Sequence, residues 1–157
     1  MARCTTRYFG EMDYDESAVI EFPHGLPGFE NRKRFLALEQ SQQKPLVFLQ
    51  NLEDPGLCFV ALPVGAVDPH YELQMTDADR QLAGFESGRD IRLGEEAIGL
   101  AILTITETGV TANLLAPIVI NLQNRKAVQA IAPEMRYSHQ TPVHPRSNGA
   151  EPGEATC

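Results

Sequence analysis

Residues 96–131 read EAIGLAILTITETGVTANLLAPIVINLQNRKAVQAI, and this stretch decides the fold class. Residues 96–106 are apolar and rich in Ile and Thr, the pattern of a strand buried on both faces. ETG at 107–109 is a hairpin turn signal, so 110–115 should return beside the first strand. Leu114 and Leu115 end that strand. Pro117 has no N–H and belongs at an edge, a bulge or a strand start. Residues 117–122 and 126–131 form a last pair of strands across QNR. Asn121 and Asn124 carry side chains that close turns by bonding to local backbone.

Working outward from this stretch, short strands continue toward the N-terminus, divided by Pro, Gly and Asp/Asn signals. RCTTRYF at 3–9, AVIEF at 18–22, RFLALE at 34–39, LVFLQNL at 46–52 and CFVALPV at 58–64 all have strand character. EDPG at 53–56 is a turn, with Pro55 in a favoured position. Residues 76–84, TDADRQLAG, form the best helix candidate: Thr76 or Asp77 caps it, acids lie in its first turn and Gly84 stops it. No alternation of strands with long helices occurs, so a parallel sheet is disfavoured. The expected fold is mostly β: a small antiparallel, partly open β-barrel-like single domain with one or two short helices. The domain is expected over 1–137. From Pro133 onward the composition turns proline-rich and poor in large apolar groups, so 138–157 is expected to be a disordered tail.

The 157 residues fit one domain, and 43% hydrophobic with 22% charged is ordinary for a globular chain. Cys4, Cys58 and Cys157 are odd in number and far apart, which suggests neither a disulfide framework nor a zinc site. Cys58, inside an apolar run, reads as a small core residue. The first sixteen residues, MARCTTRYFGEMDYDE, contain no apolar h-region, and no window reaches the length of a membrane span. A reducing cytoplasm is the natural setting, with no membrane association.

The net charge is −8, and its placement is informative. Between Glu53 and Glu107 lie eleven acids against Arg80, Arg89 and Arg92, so this segment carries the whole excess, while the rest of the chain is balanced. Such a run is either a solvated surface or an acidic face that docks a basic protein or repels nucleic acid. Direct nucleic-acid binding is disfavoured, because the basic clusters are short: RKR at 32–34 and RK at 125–126.

Signatures of catalysis are missing: there is no GxSxG, P-loop, GxGxxG or HExxH. His24, His70, His139 and His144 are scattered, and the carboxylate pairs Asp77/Asp79 and Glu95/Glu96 do not share a helix face. No enzyme, cofactor or metal site is expected. The loop AVIEFPHGLPGFE at 18–30 has two readings. Its prolines and glycines shape a tight connection anchored by Phe22 and Phe29, or a rigid loop presents apolar groups to a partner.

Four blocks in order carry a resemblance: YFGEMDYDESAVIEFPHGLPGFENRKRFLAL, PLVFLQNLEDPGLCFVALP, YELQMTDADRQLAG and TANLLAPIVINLQNRKAVQAI. Together, over roughly residues 3–140, they resemble the flagellar assembly factor FliW family. FPHGLPGFE and NLLAPIVIN, in this order and near this spacing, are the specific elements. After RYS the chain departs from that pattern, running on longer and richer in proline.

The resemblance implies a small cytoplasmic β-rich protein, monomeric alone, that binds two protein partners in turn. One is flagellin before its export. The other is CsrA, the RNA-binding regulator that represses flagellin synthesis and that the free factor antagonises. The alternative keeps flagellin binding without a CsrA role, and a β-barrel enzyme or cofactor binder has little support in the sequence. On this resemblance the surfaces to test are Phe22, Pro23, Leu26, Pro27 and Phe29 in the loop, and Asn113, Leu114, Leu115, Pro117 and Asn121 in the strand region. The acidic surface to test is Glu53, Asp54, Asp77, Asp79, Glu86, Asp90, Glu95 and Glu96, because negative charge near an RNA site repels phosphate.

Overall fold

The computed structural model describes residues 2–86, 90–134 and 136–144. Its strands are β1 (Ala2–Thr6), β2 (Gly10–Tyr14), β3 (Ile20–Glu21), β4 (Arg34–Leu38), β5 (Val47–Asn51), β6 (Cys58–Pro63), β7 (Ala97–Thr106), β8 (Gly109–Ala112), β9 (Ile118–Asn121), β10 (Ala127–Gln129) and β11 (Thr141–Pro142). Two short helices, α1 (Val64–Val67) and α2 (Asp77–Ala83), lie between β6 and β7.

The ten residues of β7 organise the sheet. Ala97 to Leu100 pair with β9, Leu100 to Ile102 with β6, and Leu103 to Thr106 with β8, all antiparallel. The full path runs β10-β9-β7-β6-β5-β4-β3. Its two ends approach each other: Glu21 of β3 bridges Lys126 beside β10, and the Glu21 N–H donates to the Arg125 carbonyl at 2.9 Å. One bridge does not make a closed barrel, so the sheet is a partly open roll, as the strand pattern predicts.

Three apolar clusters hold the roll. Ile20, Phe22, Phe35, Leu49, Leu100, Ile118 and Ile120 fill its interior. Ala101, Leu103, Ala112, Leu114 and Val64 form a second cluster, with the Tyr71 and Tyr137 rings stacked at 4.6 Å beside it. Beneath α2, Ala83 meets Val119, Val128 and Ala130. Strand β9 therefore sends Ile118 and Ile120 into the first cluster and Val119 into the third. Burial on both faces explains why PIVIN is a continuous apolar run. Helix α2 follows its sequence signals: the Thr76 hydroxyl accepts the Asp79 N–H at 3.1 Å, and Gly84 ends the helix at φ 78°.

Several boundaries differ from the sequence reading. The strand expected over 3–9 ends at Thr6, and the chain turns back as β2 in a separate two-stranded sheet. GEMDY has no run of β-branched residues to announce that strand. The strand expected to reach Val64 stops at Pro63, and the next four residues coil into α1. Residues 113–117 leave the ladder as an irregular connection in which the Asn113 Oδ1 accepts the Ala116 N–H at 3.0 Å. Cys58 is half-buried at the start of β6 and not a core residue; burial pushes its thiol up to about 11. Residues 138–143, read as part of a tail, are bound to the domain: β11 pairs with β8, and the Ser138 carbonyl accepts the Leu114 N–H at 3.1 Å. Beyond His144 that expected tail lies outside the described residues.

Candidate partner-binding cleft

The loop after β3 folds back on itself. The Gly25 N–H donates to the Phe22 carbonyl and the Phe29 N–H to the Leu26 carbonyl, at 2.9 and 2.7 Å. Gly25 sits at φ 68°, and a Cβ there would lie 2.6 Å from the Glu30 Cα, so both backbone angle and space demand glycine. Phe22 is fully buried and meets Phe35 edge-on at 5.2 Å, and Leu26 is buried beside it. These two anchor the loop. Phe29, 38% exposed, leans edge-on against Phe59 at 5.7 Å. The two readings of this loop thus hold for different residues: buried anchors below, a presented aromatic above.

Above the loop opens a cleft of about 250 Å³. Leu26, Pro27 and Phe29 form one wall, and Phe59 of β6 with Ile102 and Thr104 of β7 form the floor. Asn113, Gln129 of β10, and His139 and Gln140 close the other side. Phe59 and Ile102 also pack on the interior cluster, so the cleft lies directly against the core. The volume is below the roughly 300–1,000 Å³ of small-molecule pockets and matches the bulk of one or two side chains better.

The structure divides the nominated residues. Pro27, Phe29 and Asn113 reach the cleft, together with the buried Leu26. Pro23 and Leu115 are half-buried outside it. Phe22, Leu114, Pro117 and Asn121 are buried and build the frame beneath. The Leu114 carbonyl accepts the Tyr71 hydroxyl at 3.3 Å, and the Pro117 carbonyl accepts the Ala130 N–H at 2.9 Å. Phe59, Ile102, Thr104, Gln129, His139 and Gln140 were not nominated from sequence. Each looks like an ordinary strand or tail residue there, and topology alone brings them together.

The acids do not form one face. Glu53 and Asp54 sit in the β5–β6 turn, beside RKR. The Glu53 Oε1 accepts the Lys33 and Arg34 N–H groups at 2.9 and 3.2 Å, and Asp54 lies 3.6 Å from the Arg32 guanidinium. In the antiparallel register this turn is at the start of β6, whereas the start of β7 lies beyond the end of β6. Asp77 and Asp79 in α2, then Glu86, Asp90, Glu95 and Glu96, occupy that opposite end. There Arg92 pairs with Glu95 at 3.2 Å and Glu96 at 3.5 Å. Arg80 and Asp90 both line a second, smaller cleft of about 230 Å³. Arg89, expected to interrupt the acidic surface, lies outside the described residues.

Among the described residues no group of three or more His, Cys, Asp or Glu is placed to hold a metal ion. No described helix is long and apolar enough to cross a membrane.

Comparison with known proteins places this architecture. The family model described as FliW protein matches residues 3–143. A flagellar assembly factor FliW of Pseudothermotoga lettingae is 42% identical over 137 residues, covering 82% of this chain and 80% of that relative. The flagellar assembly factor FliW of Bacillus subtilis is 31% identical over 140 residues, covering 88% of this chain and 94% of that relative. A crystal structure of the flagellar assembly factor FliW superposes with a TM-score of 0.78 at 30% identity, over 92% of this chain and 98% of that one.

Proposed function

Because this chain belongs to the FliW family of flagellar assembly factors, we propose that it works in the cytoplasm by binding two proteins in turn. Flagellin occupies it before export. When flagellin is exported, the freed protein binds CsrA and relieves the repression of flagellin synthesis. The switch follows mass action, since one partner withdraws the protein from the other.

The observation that carries this reading is the cleft beside the loop 22–30. It is bordered by the loop 22–30 and by Asn113, the two stretches that the family resemblance singles out. Its size suits a side-chain anchor of a protein partner, the usual core of a protein interface. The acids around α2 and the start of β7 supply the negative surface that antagonism of an RNA binder needs. Their separation from Glu53 and Asp54 favours the narrower second reading, in which flagellin binding is kept without a CsrA role.

Calorimetric titration with flagellin and with CsrA, each alone and then in competition, tests both readings. Binding to CsrA that prior flagellin abolishes supports the switch. Binding to flagellin alone leaves the second reading, and binding to neither removes both.

A further inference from the structure

The two amides at the cleft share one anchor. The Asn113 Oδ1 accepts the Ala116 N–H at 3.0 Å, and the Gln129 Nε2 donates to the Ala116 carbonyl at 3.1 Å. The Ala116 groups therefore fix which half of each side chain is used. The other halves, Asn113 Nδ2 and Gln129 Oε1, have no hydrogen-bond partner among the described residues, and both side chains line the cleft. One donor and one acceptor, on side chains that share the Ala116 anchor, thus belong to a cleft that Phe59 and Ile102 also line. The lining residues include no Asp, Glu, Lys or Arg, so the cleft offers no carboxylate and no permanent cation. An anionic ligand finds no counter-charge there.

We infer that Asn113 and Gln129 read the main chain of an extended peptide segment. A partner carbonyl accepts from the Asn113 Nδ2, a partner N–H donates to the Gln129 Oε1, and a bulky apolar side chain enters between Phe29, Phe59 and Ile102. A helical segment is the poorer occupant, because its interior N–H and C=O groups are already bonded to each other. This inference rests on the flagellin reading above and specifies the form of flagellin that is held: an extended stretch with one large apolar residue.

Two substitutions separate the reading role from the structural one. Asn113→Asp keeps the oxygen that receives the Ala116 N–H and removes the free donor. Gln129→Lys keeps a donor for the Ala116 carbonyl and removes the free acceptor. In titration of the full chain with purified flagellin, each should weaken binding about five- to tenfold, with the melting temperature unchanged. Wild-type affinity in both variants overturns the inference and leaves flagellin binding intact. Absence of binding by the wild type overturns the functional reading on which it rests. Should either variant lose its melting transition, amide hydrogen exchange on the wild-type complex decides. Protection of a short non-helical flagellin segment is expected, and protection confined to helices overturns the inference.

Discussion

Asn121, buried in β9, donates from its Nδ2 to the Ala83 carbonyl at the end of α2, 2.9 Å away. Its Oδ1 accepts the Gln123 N–H at 2.9 Å, so one side chain closes the β9–β10 turn and terminates a helix. Asn124 donates to the same Ala83 carbonyl at 3.1 Å from a more exposed position. The INLQN motif is thus architectural: it holds α2 against the sheet. Asn121→Ala removes a buried side chain, its bond to the Ala83 carbonyl and the acceptor of the Gln123 N–H, and should cost about 2 kcal/mol in urea unfolding, while Asn124→Ala, at an exposed position, should cost about 0.5 to 1 kcal/mol. Equal effects would mean that the two amides share the helix end evenly.

Gly25 gives the second prediction. Alanine there brings a Cβ to 2.6 Å from the Glu30 backbone while holding φ near 68°. The loop must open, at a cost of about 2 kcal/mol or more, from strain and clash together. Because the loop carries Pro27 and Phe29, flagellin affinity should fall with stability. A Gly25→Ala protein with wild-type melting temperature would refute the proposed close approach.

What was legible in the sequence and what was not have one physical division. Strands with Ile, Val and Thr in sequence-local pairs were legible, since β4–β5, β5–β6 and β7–β8 are hairpins whose turns carry their own residues. Helix α2 was legible because Thr76 and Gly84 act within one turn of it. The family blocks pointed to the loop and to Asn113, and both border the cleft. The floor was not legible. Phe59 and Ile102 meet only because β6 pairs with β7 across two helices, and Gln129 arrives through β9. The acidic surface failed as a single face for the same reason, since nearness in sequence between Asp54 and Asp77 spans the whole length of β6.

Phe29 supplies the third prediction. It is part-exposed, resting on Phe59, and its hydrogen bonds, to Leu26 and Arg32, are made by its backbone and survive loss of the ring. Phe29→Ala should lower the unfolding free energy by about 1 kcal/mol or less, because much of the ring is already in water. Binding of flagellin should fall tenfold or more, the size expected of an aromatic anchor at an interface. A variant that binds as the wild type does would place the anchor elsewhere.

Charge reversal at the two acidic ends gives the last prediction, and the ends should respond differently. Asp77, Asp79, Glu86 and Asp90 lie around α2, where lysine at all four converts a negative surface to a positive one. If that surface repels RNA from a bound CsrA, this variant should still bind CsrA and lose antagonism, most clearly at low salt where screening is weak. Glu53 is different, because its carboxylate accepts the Lys33 and Arg34 N–H groups. Glu53→Lys removes the oxygen that accepts both N–H groups and places a cation beside RKR, so the loss should be one of stability, about 1 to 2 kcal/mol. CsrA antagonism measured on RNA, with unfolding measured in parallel, checks the pair. If reversal around α2 leaves antagonism whole while Glu53→Lys abolishes it in a folded protein, the working negative surface is the β5–β6 turn. The α2 acids would then serve only solvation and the helix start.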